Sequence, residues 1–445
     1  MKHFGTDGIR GIANKDLTSE LALKVGRAAG LFFGGDVIIA KDPRLSSDML
    51  ETALVSGILS TGVNVYRMGV LPTPAVSLIL STNGKSGGAM ISASHNPIEY
   101  NGIKFFSKDG VKLKESEEEE IERLMEEEKP LPVGKGGRLF DFTKAKEIYI
   151  NEILSMNRLN LSGIKIVIDA AFGATATVVG EIFNKLKAEV YLFNGEPDGE
   201  RINVNCGSTN PKFLSEKLLE IGADVGFAFD GDGDRVITID EEGKIVDGDE
   251  TMFILSRYLN LKSIVITVMS NYGLRALLKK YNISFYEVPV GDRNVLYKML
   301  ETNSPLGGEQ SGHIIYLPQS KTGDGIITSL LILSVMLREN KPLSLLTEEF
   351  IRFPQVLRNV EVENKELVMK DEEFLKEVML WNKKLNGRGR ILVRPSGTEN
   401  LIRIMVEGEK EEETETIASL LEESLKKRLA QMNLGDEEGG YPFKG

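Results

Sequence analysis

Short apolar runs alternate with amphipathic stretches over most of the chain. Runs at 36–42 (DVIIAKD), 164–170 (IKIVIDA) and 263–269 (SIVITVM) have the length and composition of buried strands. Each is followed by a turn, a stretch with helical spacing and a second apolar run. This order predicts parallel βαβ units with right-handed crossovers. Because it occurs in three places, we expect three similar α/β domains.

The pattern changes after about residue 355. The remaining residues have the pattern of a strand, a helix, two strands and a long helix, an order typical of a small α+β domain with a mostly antiparallel sheet. The predicted fold is therefore three tandem α/β domains with mainly parallel sheets plus a C-terminal α+β domain, around a central cleft. The predicted domains span residues 1–150, 151–247, 248–355 and 356–445.

The third predicted strand of each α/β unit is followed by a loop rich in glycine and polar residues. These strand-and-loop segments are 87–97 (GGAMISASHNP), 223–235 (ADVGFAFDGDGDR) and 304–315 (SPLGGEQSGHII). Loops that leave the carboxyl ends of parallel strands are where α/β proteins bind ligands. We therefore expect the three loops to converge on one cleft.

The sharpest chemical signal is DGDGDR at 230–235. Asp230, Asp232 and Asp234 alternate with glycines, which permit the tight backbone that brings alternate carboxylates together. Three carboxylates this close repel one another unless a cation lies among them, and oxygen ligands favour Mg²⁺ or Ca²⁺. Arg235 is expected to lie beside the metal or a bound anion, with a simple salt bridge as the alternative.

A second chemical signal, RPSGTENLIR at 394–403, has the composition of an anion-binding turn. Arg394 and Arg403 can each bind phosphate oxygens in a bidentate manner, while Ser396, Gly397 and Thr398 offer hydroxyls and backbone N–H groups. The segment lacks the GK[ST] of a P-loop, so nucleotide hydrolysis is not indicated. A charged surface turn is the alternative interpretation.

The loop GGEQSGHII at 307–315 offers Glu309, Ser311 and His313 between glycines. A carboxylate and a hydroxyl two residues apart suit hydrogen bonding to neighbouring sugar hydroxyls. A hairpin-like loop with an incidental histidine is the alternative interpretation.

In ISASHNP at 91–97, Ser94 directly precedes His95, one of the three histidines. Adjacent side chains of an extended segment point to opposite sides, so we expect His95 to be badly placed to take a proton from Ser94. The G-x-S-x-G turn of α/β-hydrolases is also absent from this segment. A metal site and an anion-binding turn elsewhere in the chain instead favour Ser94 as a phosphoryl carrier.

Composition narrows the class of protein further. The net charge of −12 argues against nucleic-acid binding, and the apolar runs are too short to cross a membrane. The single cysteine, Cys206, suits a reducing compartment, and the first residues do not have the pattern of a signal peptide. A cytoplasmic protein is expected.

Five motifs, in order FGTDGIRG, SASHNP, DGDGDR, GEQSGH and R-x-SGTE, resemble those of the α-D-phosphohexomutase family over nearly the whole chain. Within that family GGEQSGHII, VGDR (290–293) and NGIKFF (101–106) are most similar to bacterial members that act on glucosamine phosphates. Two positions depart from the usual pattern, Asn400 where proline is common and Tyr100 where aspartate is common.

The resemblance implies a reaction and roles for the motif residues. Phosphorylated Ser94 would pass its phosphoryl group to glucosamine 6-phosphate, and the resulting 1,6-bisphosphate would turn around and return a phosphoryl group to Ser94, releasing glucosamine 1-phosphate. Mg²⁺ would be bound by phosphorylated Ser94 and the three aspartates. Lys104, with a pKa lowered by neighbouring cations, would act as a general acid or base.

The remaining roles that the resemblance implies concern the substrate. Arg10 and His95 would line the transfer site, with Asn96 and Arg235 in supporting places. Glu309 and Ser311 would hold the sugar hydroxyls with His313 nearby, and the turn from Arg394 to Arg403 would bind the phosphate that is not reacting.

A homodimer is an open expectation. Three alternatives stay open: the same chemistry on glucose or mannose phosphates, a phosphatase, and a sugar-phosphate-binding protein without turnover.

Overall fold

The computed structural model describes residues 3–5, 7–127, 129–396 and 400–437. The chain divides into two compact units, one formed by Met1–Ser270 and Leu278–Glu349 and the other by Asn271–Leu277 and Phe350–Gly445. Within the described ranges, every helix is too short or too polar to cross a membrane.

The first sheet of the larger unit has seven strands. The strands of this sheet and the helices between them are β1 Phe4–Gly5, β2 Gly8–Ile12, α1 Ser19–Phe33, β3 Val37–Lys41, α2 Ser47–Ser60, β4 Val65–Val70, α3 Thr73–Asn83, β5 Gly87–Ile91, β6 Tyr100–Ser107, α4 Glu115–Glu126, β7 Leu139–Asp141 and α5 Ala145–Met156. The strand order is β1-β2-β6-β5-β3-β4-β7. Strand β3 lies parallel to both β4 and β5, as the βαβ pattern predicts. Strand β6 returns antiparallel to β5.

The second sheet has five strands in the order β12-β11-β10-β8-β9. The strands of this sheet and the helices between them are β8 Lys165–Asp169, α6 Val179–Lys185, β9 Glu189–Phe193, α7 Lys212–Ile221, β10 Val225–Phe229, β11 Val236–Ile239 and β12 Ile245–Val246. Strand β10 (VGFAF) is buried along its whole length and parallel to β8, so its apolar residues are explained by cover on both faces of the sheet.

The third sheet has four strands in the order β14-β13-β15-β16. The strands and helices of this segment are α8 Gly248–Tyr258, β13 Ser263–Thr267, α9 Tyr272–Lys280, β14 Ser284–Val288, α10 Asp292–Thr302, β15 Leu306–Gly308, β16 Ile314–Tyr316, α11 Gly325–Glu339 and α12 Leu343–Thr347. Most of α9 lies in Asn271–Leu277, which belongs to the smaller unit. Helix α11 begins after Asp324, whose carboxylate accepts the N–H groups of Ile326 and Ile327 and so satisfies two donors of the first turn.

The three α/β sheets share one feature that the pattern did not predict. The third strand of each predicted α/β unit is followed at once by an antiparallel partner: β5 by β6, β10 by β11, and β15 by β16. The sheets are therefore mixed, with parallel centres. The reason is that the chain turns back directly after each glycine-rich loop instead of crossing over through a helix. The three loops connect these antiparallel pairs.

The smaller unit contains an antiparallel three-stranded sheet in the order β17-β19-β18. Its elements are β17 Gln355–Glu361, α13 Lys365–Lys370, α14 Glu372–Leu385, β18 Gly389–Pro395, β19 Leu401–Gly408 and α15 Glu411–Glu437. The predicted order is confirmed, with the short helix α13 in addition. The core of this unit lies between the sheet and the helices α14 and α15, around Phe374, Ile404 and Leu421.

Candidate active site

The three connecting loops of the larger unit meet at one cleft of about 430 Å³. His95 from the first loop, Asp234 and Arg235 from the second, and Glu309 and His313 from the third line it. Asp7, from the turn between β1 and β2, and Arg10, from β2, also line it. The prediction that the three loops converge is therefore confirmed.

Ser94 lies in the loop between β5 and β6 with its side chain buried. Its Oγ donates a hydrogen bond of 2.6 Å to Oδ2 of Asp230, and its N–H donates to Oγ of Ser92. Its φ is 54°, a left-handed conformation that few residues other than glycine adopt. The backbone thus directs the Ser94 hydroxyl toward the aspartates of the second loop.

The prediction that Ser94 and His95 point apart is wrong. The Oγ of Ser94 lies 3.4 Å from Nδ1 of His95, because the left-handed turn at Ser94 brings two adjacent side chains to one side. This distance is long for a hydrogen bond from a hydroxyl. Burial and the charges of Arg235 and Arg10 lower the pKa of His95 to about 4, so its ring is neutral near pH 7. In the described part of the chain no hydrogen bond links this ring to a carboxylate, and the orientation that a hydrolase triad requires is missing.

Asp230, Asp232 and Asp234 form a buried cluster in which one carboxylate oxygen from each lies within 4.8 Å of the others. Burial raises the pKa of Asp230 well above its ordinary value, and the charges of Asp234 and Asp232 raise it further. The N–H of Arg235 donates to the second oxygen of Asp230 at 3.2 Å. The loop therefore holds three mutually repelling carboxylates out of water, an arrangement that a cation would stabilise.

The cluster fits a divalent cation with a preference for oxygen ligands. Oδ1 of Asp232 and Oδ1 of Asp234 are buried and, among the described residues, accept no hydrogen bond. Buried carboxylate oxygens normally have partners, and a bound ion would supply one to each of these two oxygens. The donor set contains oxygen alone, as Mg²⁺ and Ca²⁺ prefer, and no sulfur or nitrogen.

Lys104, on β6, is buried beside this cluster. Its Nζ lies 2.9 Å from Oδ2 of Asp232 and 3.5 Å from Oδ2 of Asp234. Burial alone would lower the pKa of Lys104, but the carboxylates of Asp232, Asp7 and Asp234 outweigh it and hold the pKa above its ordinary value. The predicted lowering of the Lys104 pKa is wrong, because the nearest charges are carboxylates from other segments rather than cations.

Arg10 lies on β2 at the edge of the same cleft. Its guanidinium pairs with Asp7 and donates at 3.4 Å to Oδ1 of Asn96. Nε of Arg235 lies 3.8 Å from Oδ1 of Asp234. The structure thus brings these predicted residues to the cleft beside the Ser94 loop, where two guanidiniums can attract an anionic group.

Glu309 and His313 are both buried at the cleft wall. Glu309 accepts the N–H of Gly291 at 2.9 Å, and Nε2 of His313 lies 3.6 Å from Oδ2 of Asp292. Neither ring nitrogen of His313 has a hydrogen-bond partner in the described ranges. Ser311 is exposed, with its Oγ 3.5 Å from Oε2 of Glu309.

The predicted phosphate-binding residues belong to the smaller unit. Arg394 on β18 and Arg403 on β19 are directly opposite in the antiparallel register. Burial and the charge of Arg403 lower the pKa of Arg394, which indicates unfavourable crowding of like charges. Ser396 is buried and its hydroxyl has no partner among the described residues. Gly397 and Thr398 lie outside the described residues.

Arg44 organises the Ser94 loop and was not predicted from the sequence. Its side chain is fully buried and pairs with Asp42 at 3.0 Å. It also donates to the main-chain oxygens of Ser94, Asn96, Pro97 and Tyr100. The signal was KDPR at 41–44, a charged turn at the carboxyl end of β3, the position at which ligand-binding loops were expected.

We expect Arg44→Met to destabilise the protein by about 3–5 kcal/mol, because it leaves the buried Asp42 carboxylate without its charged partner. The loop carbonyls would also lose their donors. Urea unfolding of the purified variant measures the change. The matched control is Arg67→Met, which breaks the exposed pair with Asp141 and should change stability by about 1 kcal/mol or less. Equal stability of the two variants would contradict this role of Arg44.

Models of four domains of one enzyme family match the chain. They are described as phosphoglucomutase/phosphomannomutase alpha/beta/alpha domains I, II and III and the C-terminal domain. They match residues 1–131, 147–243, 247–353 and 357–424, respectively.

Curated relatives of high similarity are phosphoglucosamine mutases. That of Natranaerobius thermophilus is 47% identical over 96% of this chain and 99% of its own length. That of Carboxydothermus hydrogenoformans is 48% identical over 94% and 97%.

Solved structures share the fold at lower identity. A phosphoglucomutase/phosphomannomutase family protein from Burkholderia thailandensis has a TM-score of 0.79 at 23% identity, covering 98% of each chain. The N-acetylphosphoglucosamine mutase of Aspergillus fumigatus, solved with GlcNAc-6P and magnesium, has a TM-score of 0.68 at 15% identity, covering 96% of each chain.

Proposed function

The chain belongs to the phosphoglucomutase/phosphomannomutase family, and we propose that it interconverts glucosamine 6-phosphate and glucosamine 1-phosphate by intramolecular phosphoryl transfer. The observation that carries the chemistry is the 2.6 Å hydrogen bond between the Ser94 hydroxyl and the aspartate cluster at the cleft. The choice of glucosamine rests on the relatives, which are phosphoglucosamine mutases at 47% and 48% identity.

Ser94 is the proposed phosphoryl carrier. In the forward direction the P–O bond of phosphorylated Ser94 breaks, and the phosphoryl group joins the free 1-hydroxyl of glucosamine 6-phosphate, whose proton ends on the Ser94 oxygen, to give the 1,6-bisphosphate. After the bisphosphate has turned around, the bond between O6 and its phosphorus breaks, the phosphoryl group returns to the Ser94 oxygen, and the Ser94 proton ends on O6 as glucosamine 1-phosphate leaves. The left-handed backbone at Ser94 supports this role, because it turns the hydroxyl toward the cluster and holds it there.

Asp230, Asp232 and Asp234 are the proposed ligands of Mg²⁺, together with phosphorylated Ser94. When bound, the ion neutralises negative charge on the group in transfer. Lys104, held protonated by its carboxylate neighbours, serves as a fixed positive charge at this point. As the candidate general acid or base it requires a pKa closer to neutrality than these carboxylates allow in the metal-free protein. Arg10, Arg235 and neutral His95 supply donors at the cleft, with Asn96 supporting Arg10.

Glu309 and Ser311 are the proposed partners of the sugar hydroxyls, with His313 beside them. The cleft position of Glu309, one of whose oxygens is anchored by Gly291, supports this assignment. Arg394 and Arg403 are the proposed phosphate ligands, because a bound phosphate would relieve the repulsion between two opposed guanidiniums. Ser396, Gly397 and Thr398 complete the proposed phosphate site. The four domain boundaries, a cytoplasmic location and a homodimer stay predictions.

A substrate panel tests the proposed function. We expect kcat/KM for glucosamine 6-phosphate to exceed that for glucose and mannose 6-phosphates by about tenfold or more, which corresponds to about 1.4 kcal/mol of transition-state binding. Each assay contains a trace of the matching 1,6-bisphosphate and Mg²⁺, and phosphorus NMR identifies the product.

The other outcomes distinguish the alternatives. A kcat/KM for glucose or mannose 6-phosphate equal to that for glucosamine 6-phosphate would contradict the substrate assignment. It would still agree with the proposed phosphoryl transfer. Inorganic phosphate without any sugar 1-phosphate would indicate a phosphatase. Binding of the sugar phosphates without any product would indicate a protein that does not turn them over.

A further inference from the structure

Thr73 joins the first sheet's helices to the aspartate loop of the second sheet. It is the first residue of α3 and its side chain is fully buried. The first N–H groups of a helix have no partner within the helix. That of Thr73 donates at 2.8 Å to the main-chain oxygen of Asp232, and its Oγ1 donates at 2.6 Å to Oδ2 of the same aspartate. One residue therefore holds both the backbone and the side chain of Asp232.

The two oxygens of the Asp232 carboxylate are in different situations. Oδ2 accepts two hydrogen bonds, from Thr73 and, at 2.9 Å, from Nζ of Lys104. Oδ1 is buried and has no hydrogen-bond partner in the part of the chain that is described. The donors on one oxygen leave the other available to a cation.

Lys104 cannot fix this orientation by itself. Its ammonium is a compact charge with three rotatable donors, and it lies within 3.5 Å of carboxylates of Asp7, Asp232 and Asp234. If the Thr73 hydroxyl were absent, Asp232 could rotate and still contact the ammonium through either oxygen. The Thr73 hydroxyl, attached to a helix through a single side-chain torsion, is the directional donor.

We propose that Thr73 is a positioning residue for the metal site: its hydroxyl occupies Oδ2 of Asp232 and thereby presents Oδ1 to the bound cation. This inference rests on the proposed Mg²⁺ site. It adds to that site a residue that lies 159 positions before Asp232 in the sequence, at the start of helix α3 beside the first sheet. Partners that orient a ligand in this way typically change metal affinity by about 10–100-fold when they are removed.

Mg²⁺ binding by Thr73→Val and Thr73→Ser tests the inference. Valine keeps the volume and removes the hydroxyl, while serine keeps the hydroxyl and removes a methyl group. Isothermal titration calorimetry is done on protein whose phosphorylation state has been established by intact mass. We expect the Kd for Mg²⁺ to rise about 10-fold or more in Thr73→Val and to stay within about threefold of the wild type in Thr73→Ser.

A merely structural role for Thr73 gives a different result. It would lower the stability of Thr73→Val, measured by urea unfolding, and leave the Kd unchanged, which would overturn the proposal. If Thr73→Val does not fold, Thr73→Ala takes its place, with the same expected rise in Kd. Failure of the wild type to bind Mg²⁺ would overturn the proposed metal site itself, and the role of Thr73 with it. An unchanged Kd beside a binding wild type would overturn the role of Thr73 alone.

Discussion

Ser94→Ala should lose mutase activity by about 10³-fold or more, because the variant has no oxygen to carry the phosphoryl group between the two ends of the sugar. The fold should persist, since the change removes one hydroxyl whose hydrogen bond to Asp230 is worth about 1–3 kcal/mol. Steady-state turnover of glucosamine 6-phosphate, with the bisphosphate added, measures the loss. Intact-mass and phosphopeptide analysis of the active wild type should place one phosphoryl group on Ser94.

The matched control for this prediction is Ser77→Ala. Ser77 is also buried in the first sheet's domain, where its hydroxyl donates to the main-chain oxygen of Gly110. Its removal should leave turnover within a few-fold of the wild type. A phosphoryl group found on Ser92 alone, or full activity of Ser94→Ala, would remove Ser94 from the carrier role.

Local patterns were enough to predict the elements and the loops that carry the site. Strands β3, β8 and β13 lie within the three apolar runs, and β10 leads directly into the aspartates of DGDGDR. Periodicity and composition depend on neighbouring residues, which is why they predict strands, turns and clustered carboxylates. The return of β6, β11 and β16 as antiparallel partners was not predicted, because a loop rich in glycine and polar residues suits a ligand site and a hairpin equally well.

The site's electrostatics could not be derived from the same patterns. The Lys104 ammonium is surrounded by carboxylates of Asp7 and Asp232, which lie 97 and 128 positions away in the sequence, and these reverse the predicted direction of its pKa shift. Thr73 carries no motif of its own, and Arg44 is marked only by the charged turn KDPR. Both matter through contacts with segments that are distant along the chain. The backbone at Ser94 is a third case, since its left-handed turn is set by tertiary contacts such as those of Arg44 and not by local preference.

Asp230→Asn should lose activity and, without metal, gain stability. The substitution keeps the size of the side chain and removes one of three clustered charges. Burial and the charges of Asp234 and Asp232 raise the pKa of Asp230, so its ionised form is unfavourable in the metal-free protein, and the neutral amide should raise the unfolding midpoint. Turnover should fall by about 10²-fold or more. A neutral amide binds Mg²⁺ more weakly than a carboxylate does, and the Ser94 hydroxyl would no longer donate its hydrogen bond to a charged group.

Thermal unfolding with EDTA and with excess Mg²⁺ measures the stability of Asp230→Asn and its dependence on the metal, and steady-state turnover measures the loss of activity. The wild type should gain about 2.7 kcal/mol at a Mg²⁺ concentration of 100 Kd, whereas the variant should gain much less at the same concentration. The control is Asp224→Asn, six residues upstream, where an exposed carboxylate accepts the N–H of Lys165 and has no place in the cluster. Its response to Mg²⁺ should match the wild type. Two results would show that the three aspartates do not bind the metal: wild-type turnover that persists in EDTA, or equal stabilisation of wild type and Asp230→Asn by Mg²⁺. A site built on mutually repelling carboxylates must lose both affinity for Mg²⁺ and repulsion between its charges when one of those charges is removed.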